Sequence, residues 1–133
     1  MRVLGAAQVR AGAVELGLGD LRRGIAELEA MRVEVQLPAA LIALADALLG
    51  TRDVSGAAEA AGRALPLARR NAARAAESRA LLLLGLCGQR GAAGVSVAQA
   101  RDYLTAGLAL AEHLGMAPMA ARFRDALAAP VSG

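Results

Sequence analysis

At 133 residues, 56% hydrophobic but only 2% aromatic, the chain is long enough to bury one continuous core and must build it from Leu, Ala, Val and Ile. That composition favours close-packed helices over a sheet, which draws on β-branched and aromatic residues. The net charge of +3 is carried by arginine, lysine being absent, and the arginines are dispersed among acids as on solvated helix faces, which speaks against a nucleic-acid surface.

The single Cys87 excludes a disulfide or cysteine-metal framework and is expected to fill core space. No apolar run reaches the roughly 20 residues a bilayer requires, and no basic-apolar-cleavage leader opens the chain, so a cytoplasmic protein is expected.

Residues 2–35 read as a first helix pair. Met1 to Leu16 is helical, with Val9, Gly12, Ala13 and Leu16 on one side; Gly17-Leu-Gly19 is expected to stop it. Asp20 then serves as N-cap for a second helix striped by Leu21, Ile25, Leu28 and Met31. Pro38 separates this pair from the next, because the residue before a proline is pushed out of helical geometry.

Residues 38–70 form the clearest hairpin. Leu41, Leu44, Ala45 and Leu48 follow the i, i+3, i+4, i+7 spacing of one helix face. Gly50 to Asp53 is the turn, with Asp53 as N-cap, and Ala57, Ala61, Ala64, Leu65 and Ala68 give the second helix a stripe of small residues. A third pair spans 74–114. Its first helix carries Leu81, Leu82, Leu84, Gly85 and Leu86; the glycine-rich stretch Gly88 to Gly94 is the loop; Ser96 caps a long helix that Gly115 ends. A capping helix covers 118–129, and residues 130–133 are expected to fray.

Superimposing the pairs places small residues in matching slots: Gly12, Ala45 and Gly85 late in the first helices, and Gly24, Ala57 and Ala100 early in the second. Gly12 to Ala45 is 33 residues, as is Gly24 to Ala57, and the third unit is stretched. Helix pairs at a period in the low thirties are the mark of a tetratricopeptide-type array. The expected fold is therefore an all-α, right-handed tetratricopeptide-like solenoid of about three helix pairs plus a capping helix. The consensus aromatic positions are held by Leu or Ala.

Five segments carry a family resemblance: Leu21 to Leu28, Pro38 to Leu48, Ala57 to Ala68, Glu77 to Gly85 and Tyr103 to Arg122, with Leu108-Ala-Leu-Ala-Glu-His-Leu-Gly-Met116 the most specific part. Together they resemble the helical repeats of large bacterial signalling ATPases, including LuxR-type and maltose-activator-type transcription regulators, and of adenylate cyclases with C-terminal repeats. The resemblance implies an effector-sensing or partner-binding array. The chain departs from that family in having no nucleotide-binding domain, no cyclase domain and no helix-turn-helix after Arg124.

The chemistry-bearing residues point to binding rather than catalysis. His113 is the sole histidine and its neighbour Glu112 lies about 100° round the helix, which offers neither a metal pair nor an acid-base dyad, so a surface position is expected. Gly17 to Gly24 superficially resembles a phosphate loop, but it lacks the lysine and Ser/Thr and follows no strand. No enzyme activity, cofactor or metal is expected. Glu27, Glu29 and Glu34 make an acidic group and Arg69, Arg70, Arg74 and Arg79 a basic one; solvated faces with i,i+4 pairs explain both, and an anion or acidic partner is the functional alternative for the arginines.

If each first helix lines a concave face, Val9, Ala13, Ile42, Asp46, Leu82 and Leu86 border an apolar groove suited to a peptide or partner helix, unless they pack on the adjacent repeat. The expected role is a non-catalytic interaction module of a bacterial signalling or transcription regulator, the alternative being an arginine-rich nucleic-acid-associated domain. A homo-oligomer through the terminal repeats is a further expectation.

Overall fold

A computed structural model describes residues 6–129, with side chains described from residue 12 onward. The described chain is all-α: α1 (Ala6–Ala30), α2 (Leu37–Gly50), α3 (Val54–Arg70), α4 (Arg74–Gln89), α5 (Val97–His113) and α6 (Ala117–Ala128). The expected frayed tail, 130–133, lies outside the described residues.

Each helix packs on the next, and α2, α4 and α6 also pack on one another in succession, whereas α1, α3 and α5 do not. The helices thus lie in two layers, a continuous one of α2, α4 and α6 and a spaced one of α1, α3 and α5. α4 sits at the centre, in contact with α2, α3, α5 and α6, and Ala80 to Leu84 are consequently all buried. Alanine and leucine make this possible. Ala57, Ala61, Ala64 and Ala68 of α3 are all 0% exposed, and so small a stripe lets backbones approach closely on both flanks.

The five connections share one device. Arg32, Arg52, Ala72, Gly91 and Gly115 hold left-handed backbone, with φ of 57°, 67°, 54°, 84° and 70°. In each case the following residue donates to a carbonyl five back and the left-handed residue donates three back, as in Val33→Leu28 at 2.9 Å with Arg32→Glu29 at 3.1 Å, or Ala73→Ala68 at 2.8 Å with Ala72→Arg69 at 3.2 Å. This is the paired helix-ending motif that satisfies two orphan carbonyls. Glycine fills the left-handed place at two turns, as expected at Gly115; arginine or alanine fills it at three, at a steric cost of about 1 kcal/mol each.

The caps follow the sequence reading at three points. The Gly56 N–H donates to the Asp53 carboxylate at 2.9 Å, Ser96 and Gln99 form a reciprocal capping box, and Pro38 lies in the first turn of α2. Pro66 lies within α3, where it leaves the Gly62 carbonyl without a helical donor, and both residues are exposed.

The first pair differs from expectation. Residues 6–30 are one uninterrupted helix, so Gly17 to Gly19 does not stop it and Asp20 is not a cap. Two glycines cost about 1 kcal/mol each, and burial of Leu18 and Ile25, 5% and 4% exposed, against the rest of the array outweighs that. The slot assigned to Gly12 fails with it: Gly12 is exposed, and a Cβ there would meet nothing within 4 Å. The glycine loop is also shorter than expected, because α4 runs to Gln89. A Cβ on Gly88 would meet the Ala100 methyl at 2.6 Å, so this glycine sets the α4–α5 approach, while the chain turns at Gly91. Measured between left-handed residues, the recurrence is 40 residues from Arg32 to Ala72, 39 from Arg52 to Gly91 and 43 from Ala72 to Gly115, longer than the 33 read from the glycines.

Candidate functional site

The continuous layer leaves one flank of α2, α4 and α6 facing solvent. On α2 the exposed positions are Ala39, Ala43, Asp46 and Gly50, one helical face opposite the buried Leu41, Leu44, Ala45 and Leu48. Arg79 of α4 donates to Asp46 at 3.4 Å, tying α2 to α4 across 33 residues. Beside this pair a pocket of about 30 Å³ is bordered by Leu82, Leu83, Met119 and Arg122. Arg122, from α6, makes no ion pair among the described residues, so this spot holds two guanidinium groups against one carboxylate.

Of the residues expected in a groove, the structure brings Asp46, Leu82 and Leu86 to this layer, but not as an apolar lining. Asp46 is exposed and ion-paired, Leu86 is half-buried, and Leu82 is 3% exposed at the floor of the small pocket. Ile42 is 1% exposed and offers nothing to a ligand, because α2 is covered on two flanks and its apolar stripe is correspondingly wide. Ala13 belongs to the projecting first half of α1, where residues 12–17 are all exposed, and the side chain of Val9 lies outside the described residues. Sequence reasoning misses Met119, Arg122, Ala39 and Ala43; the usable signal is the run of small residues at i, i+4 and i+7 with Asp46.

The four arginines do not form one anion site. Arg69 and Arg74 both reach Glu77, at 3.1 and 3.8 Å; Arg70 reaches Glu34 at 3.1 Å; Arg79 reaches Asp46. Of the acidic residues, Glu29 on α1 accepts from Arg63 at 2.9 Å. These contacts join α1 to α3, α3 to α4 and α2 to α4; of the expected acidic and basic groups only Glu34 and Arg70 meet each other, and the remaining arginines pair with Glu77 and Asp46. The Arg63–Glu29, Arg70–Glu34 and Arg79–Asp46 pairs are about half exposed and worth under about 1 kcal/mol each, whereas Glu77, which takes both Arg69 and Arg74, is largely buried. Between α1 and α3 they bridge a cavity of about 300 Å³ floored by Leu44 and Leu48.

His113 is exposed at the end of α5. Among the described residues no group of three or more His, Cys, Asp or Glu could hold a metal ion, and no helix is long and apolar enough to cross a membrane. Cys87 is 0% exposed; burial pushes its thiol pKa up, and the nearby Arg90 guanidinium only partly opposes this, so it is a protonated packing group. Gly17 to Gly24 lies inside α1 and is not a loop. Comparison of the chain with known protein families, curated proteins and solved structures finds no match.

Proposed function

We propose that the chain is a tetratricopeptide-like, right-handed solenoid that works as a non-catalytic interaction or effector-sensing module of a bacterial signalling or transcription regulator. It takes a peptide or partner helix across the open flank of α2, α4 and α6. The observation that carries this reading is the two-layer order of the helices, in which alternate helices stack into one continuous surface while the others stand apart. The unit length of about 40 residues exceeds the 34 of the consensus repeat, so the likeness lies in the helix pair and its small-residue contacts.

On that flank Ala39 and Ala43 leave room for a close-lying backbone, while Asp46, Arg79 and Arg122 supply the polarity that would orient it. The resemblance to the repeats of signalling ATPases supplies the regulatory context. The nucleic-acid reading is disfavoured because Arg69, Arg70, Arg74 and Arg79 each have a carboxylate partner. The test is affinity enrichment from the native cell, identification of the partner, and calorimetric titration of that purified partner. Ala43→Glu and Arg122→Glu are expected to weaken its binding at least tenfold. Unchanged binding, or retention on nucleic acid at low salt that the four arginine-to-alanine changes abolish, overturns the reading.

A further inference from the structure

α1 and α3 both rest on α2 but not on each other. The bonds from Arg63 to Glu29 and from Arg70 to Glu34 tie earlier residues to earlier and later to later, so the two helices run the same way, and Glu29 and Arg63, 34 residues apart, stand side by side. Each helix turns one face to the cleft between them, with the spacing i, i+3, i+4, i+7: Arg22, Ile25, Ala26 and Glu29 from α1, and Gly56, Glu59, Ala60 and Arg63 from α3. In that register the Glu29–Arg63 pair, at 2.9 Å, closes one end. Ala26 comes opposite Ala60, and two methyl groups leave the middle hollow. Arg22 comes opposite Gly56, which has no side chain to meet it, and Glu59 comes level with the buried Ile25.

The result is the cavity of about 300 Å³, floored by Ile25, Leu44 and Leu48. Two charges on its walls have no ion partner among the described residues: the Arg22 guanidinium on one side and the Glu59 carboxylate on the other, one helical turn further along, or roughly 4.5 Å by the rise of the helix. Neighbouring charges are engaged elsewhere and do not border the cavity. Asp20 pairs with Arg23 at 3.4 Å, and Asp53 accepts from the Gly56 N–H at 2.9 Å.

We infer that this cleft is a small-molecule site, separate from the α2-α4-α6 flank, and that its ligand is a free α-amino acid with a branched aliphatic side chain. A few convergent polar groups over an apolar floor are the form such sites take, and the volume lies at the lower end of their range. One free cation across from one free anion selects a ligand that carries both charges, because Glu59 repels a simple anion and Arg22 a simple cation. The ligand carboxylate meets the two-pronged Arg22 guanidinium, the ammonium meets Glu59, and the alkyl group lies on Leu44 and Leu48. Because the Glu29–Arg63 bridge closes one end, a peptide running through the cleft does not fit. The inference does not depend on the use proposed for the flank.

The experiment titrates the full chain calorimetrically with free leucine and with three probes that each lack one feature: 4-methylpentanoate without the ammonium, 3-methylbutylamine without the carboxylate, and glycine without the alkyl group. Saturable binding of leucine is expected, at least tenfold tighter than each of the three. Ala26→Leu places a larger side chain in the hollow from an exposed helix position, so it should weaken leucine binding at least tenfold while circular dichroism shows the fold retained. Arg22→Gln should remove the advantage of leucine over 3-methylbutylamine, and Glu59→Gln its advantage over 4-methylpentanoate. Ala43→Glu on the flank should leave leucine binding unchanged. No saturable binding at millimolar leucine, a probe that binds as well as leucine, or binding indifferent to Ala26→Leu overturns the inference. So does a stability coupling between Arg22 and Glu59 without any leucine binding, which shows the two charges closing on each other instead.

Discussion

Gly107→Ala is the sharpest test of how closely α5 and α6 approach. A Cβ built on Gly107 falls directly on the Cε1 and Cζ of Phe123, and 3.1 Å from its Cδ1. Phe123 is the largest fully buried side chain, so its ring has no solvent side to turn toward. Overpacking of this kind costs about 1–3 kcal/mol, and a rigid aromatic wedge belongs at the upper end. Replacing a mid-helix glycine by alanine returns about 1 kcal/mol of helix propensity. The net expectation is a loss of about 2 kcal/mol, which for a chain of this size lowers the melting temperature by about 7 °C. Circular dichroism melts read this directly. Phe123→Leu should rescue part of it, with a coupling above about 1 kcal/mol in the double-mutant cycle. Gly17→Ala, where a Cβ meets nothing within 4 Å, is the control and should stabilise by about 0.5–1 kcal/mol. A Gly107→Ala variant as stable as the control would refute the close approach of these helices.

Ala72→Gly should stabilise the fold by about 0.5–1 kcal/mol by relieving the 54° φ, and Gly115→Ala should destabilise it by about 1 kcal/mol; both are read by chemical denaturation. Asp53→Ala removes the acceptor of the Gly56 N–H and should cost about 1 kcal/mol, with faster amide exchange confined at first to the start of α3. The Cys87 thiol should react with an aromatic disulfide reagent only at the rate of unfolding. Because its pKa is raised in the fold, the unfolded chain loses its proton first as pH rises, so stability should decline from about pH 8.5 upward; Cys87→Ala should flatten that decline.

The central hairpin is legible in the sequence because its signals are local and agree. Pro38 marks a start, the leucines keep one period, and Asp53 has an acceptor at the right distance from a free amide. The beginning of the chain is not, because glycine carries two opposite messages. At Gly17 and Gly19 it is tolerated inside a helix that tertiary burial holds, and at Gly88 and Gly107 it marks contact between helices rather than a turn. Conversely, the breaks at Arg32, Arg52 and Ala72 use residues that bear no turn signal at all. For the candidate site, spacing identifies which residues of α2 share a face but not which faces meet neighbours. It therefore places Asp46 at the surface, as found, and Ile42 wrongly beside it.

That α3 and α5 do not pack on each other has a mechanical meaning. The molecule is hinged like a fan whose spine is α2, α4 and α6. Spreading the outer helices strains exposed ion pairs such as Glu29 with Arg63, the bond from the Asn71 side-chain amide to the Glu34 carbonyl and the bond from the Ala93 amide to the Ser55 hydroxyl, whereas bending the opposite way must press together α2, α4 and α6, which already pack on one another. The fold is therefore compliant in one sense and stiff in the other, and raised salt, by loosening the outer ties, should let α1, α3 and α5 spread apart without melting a helix.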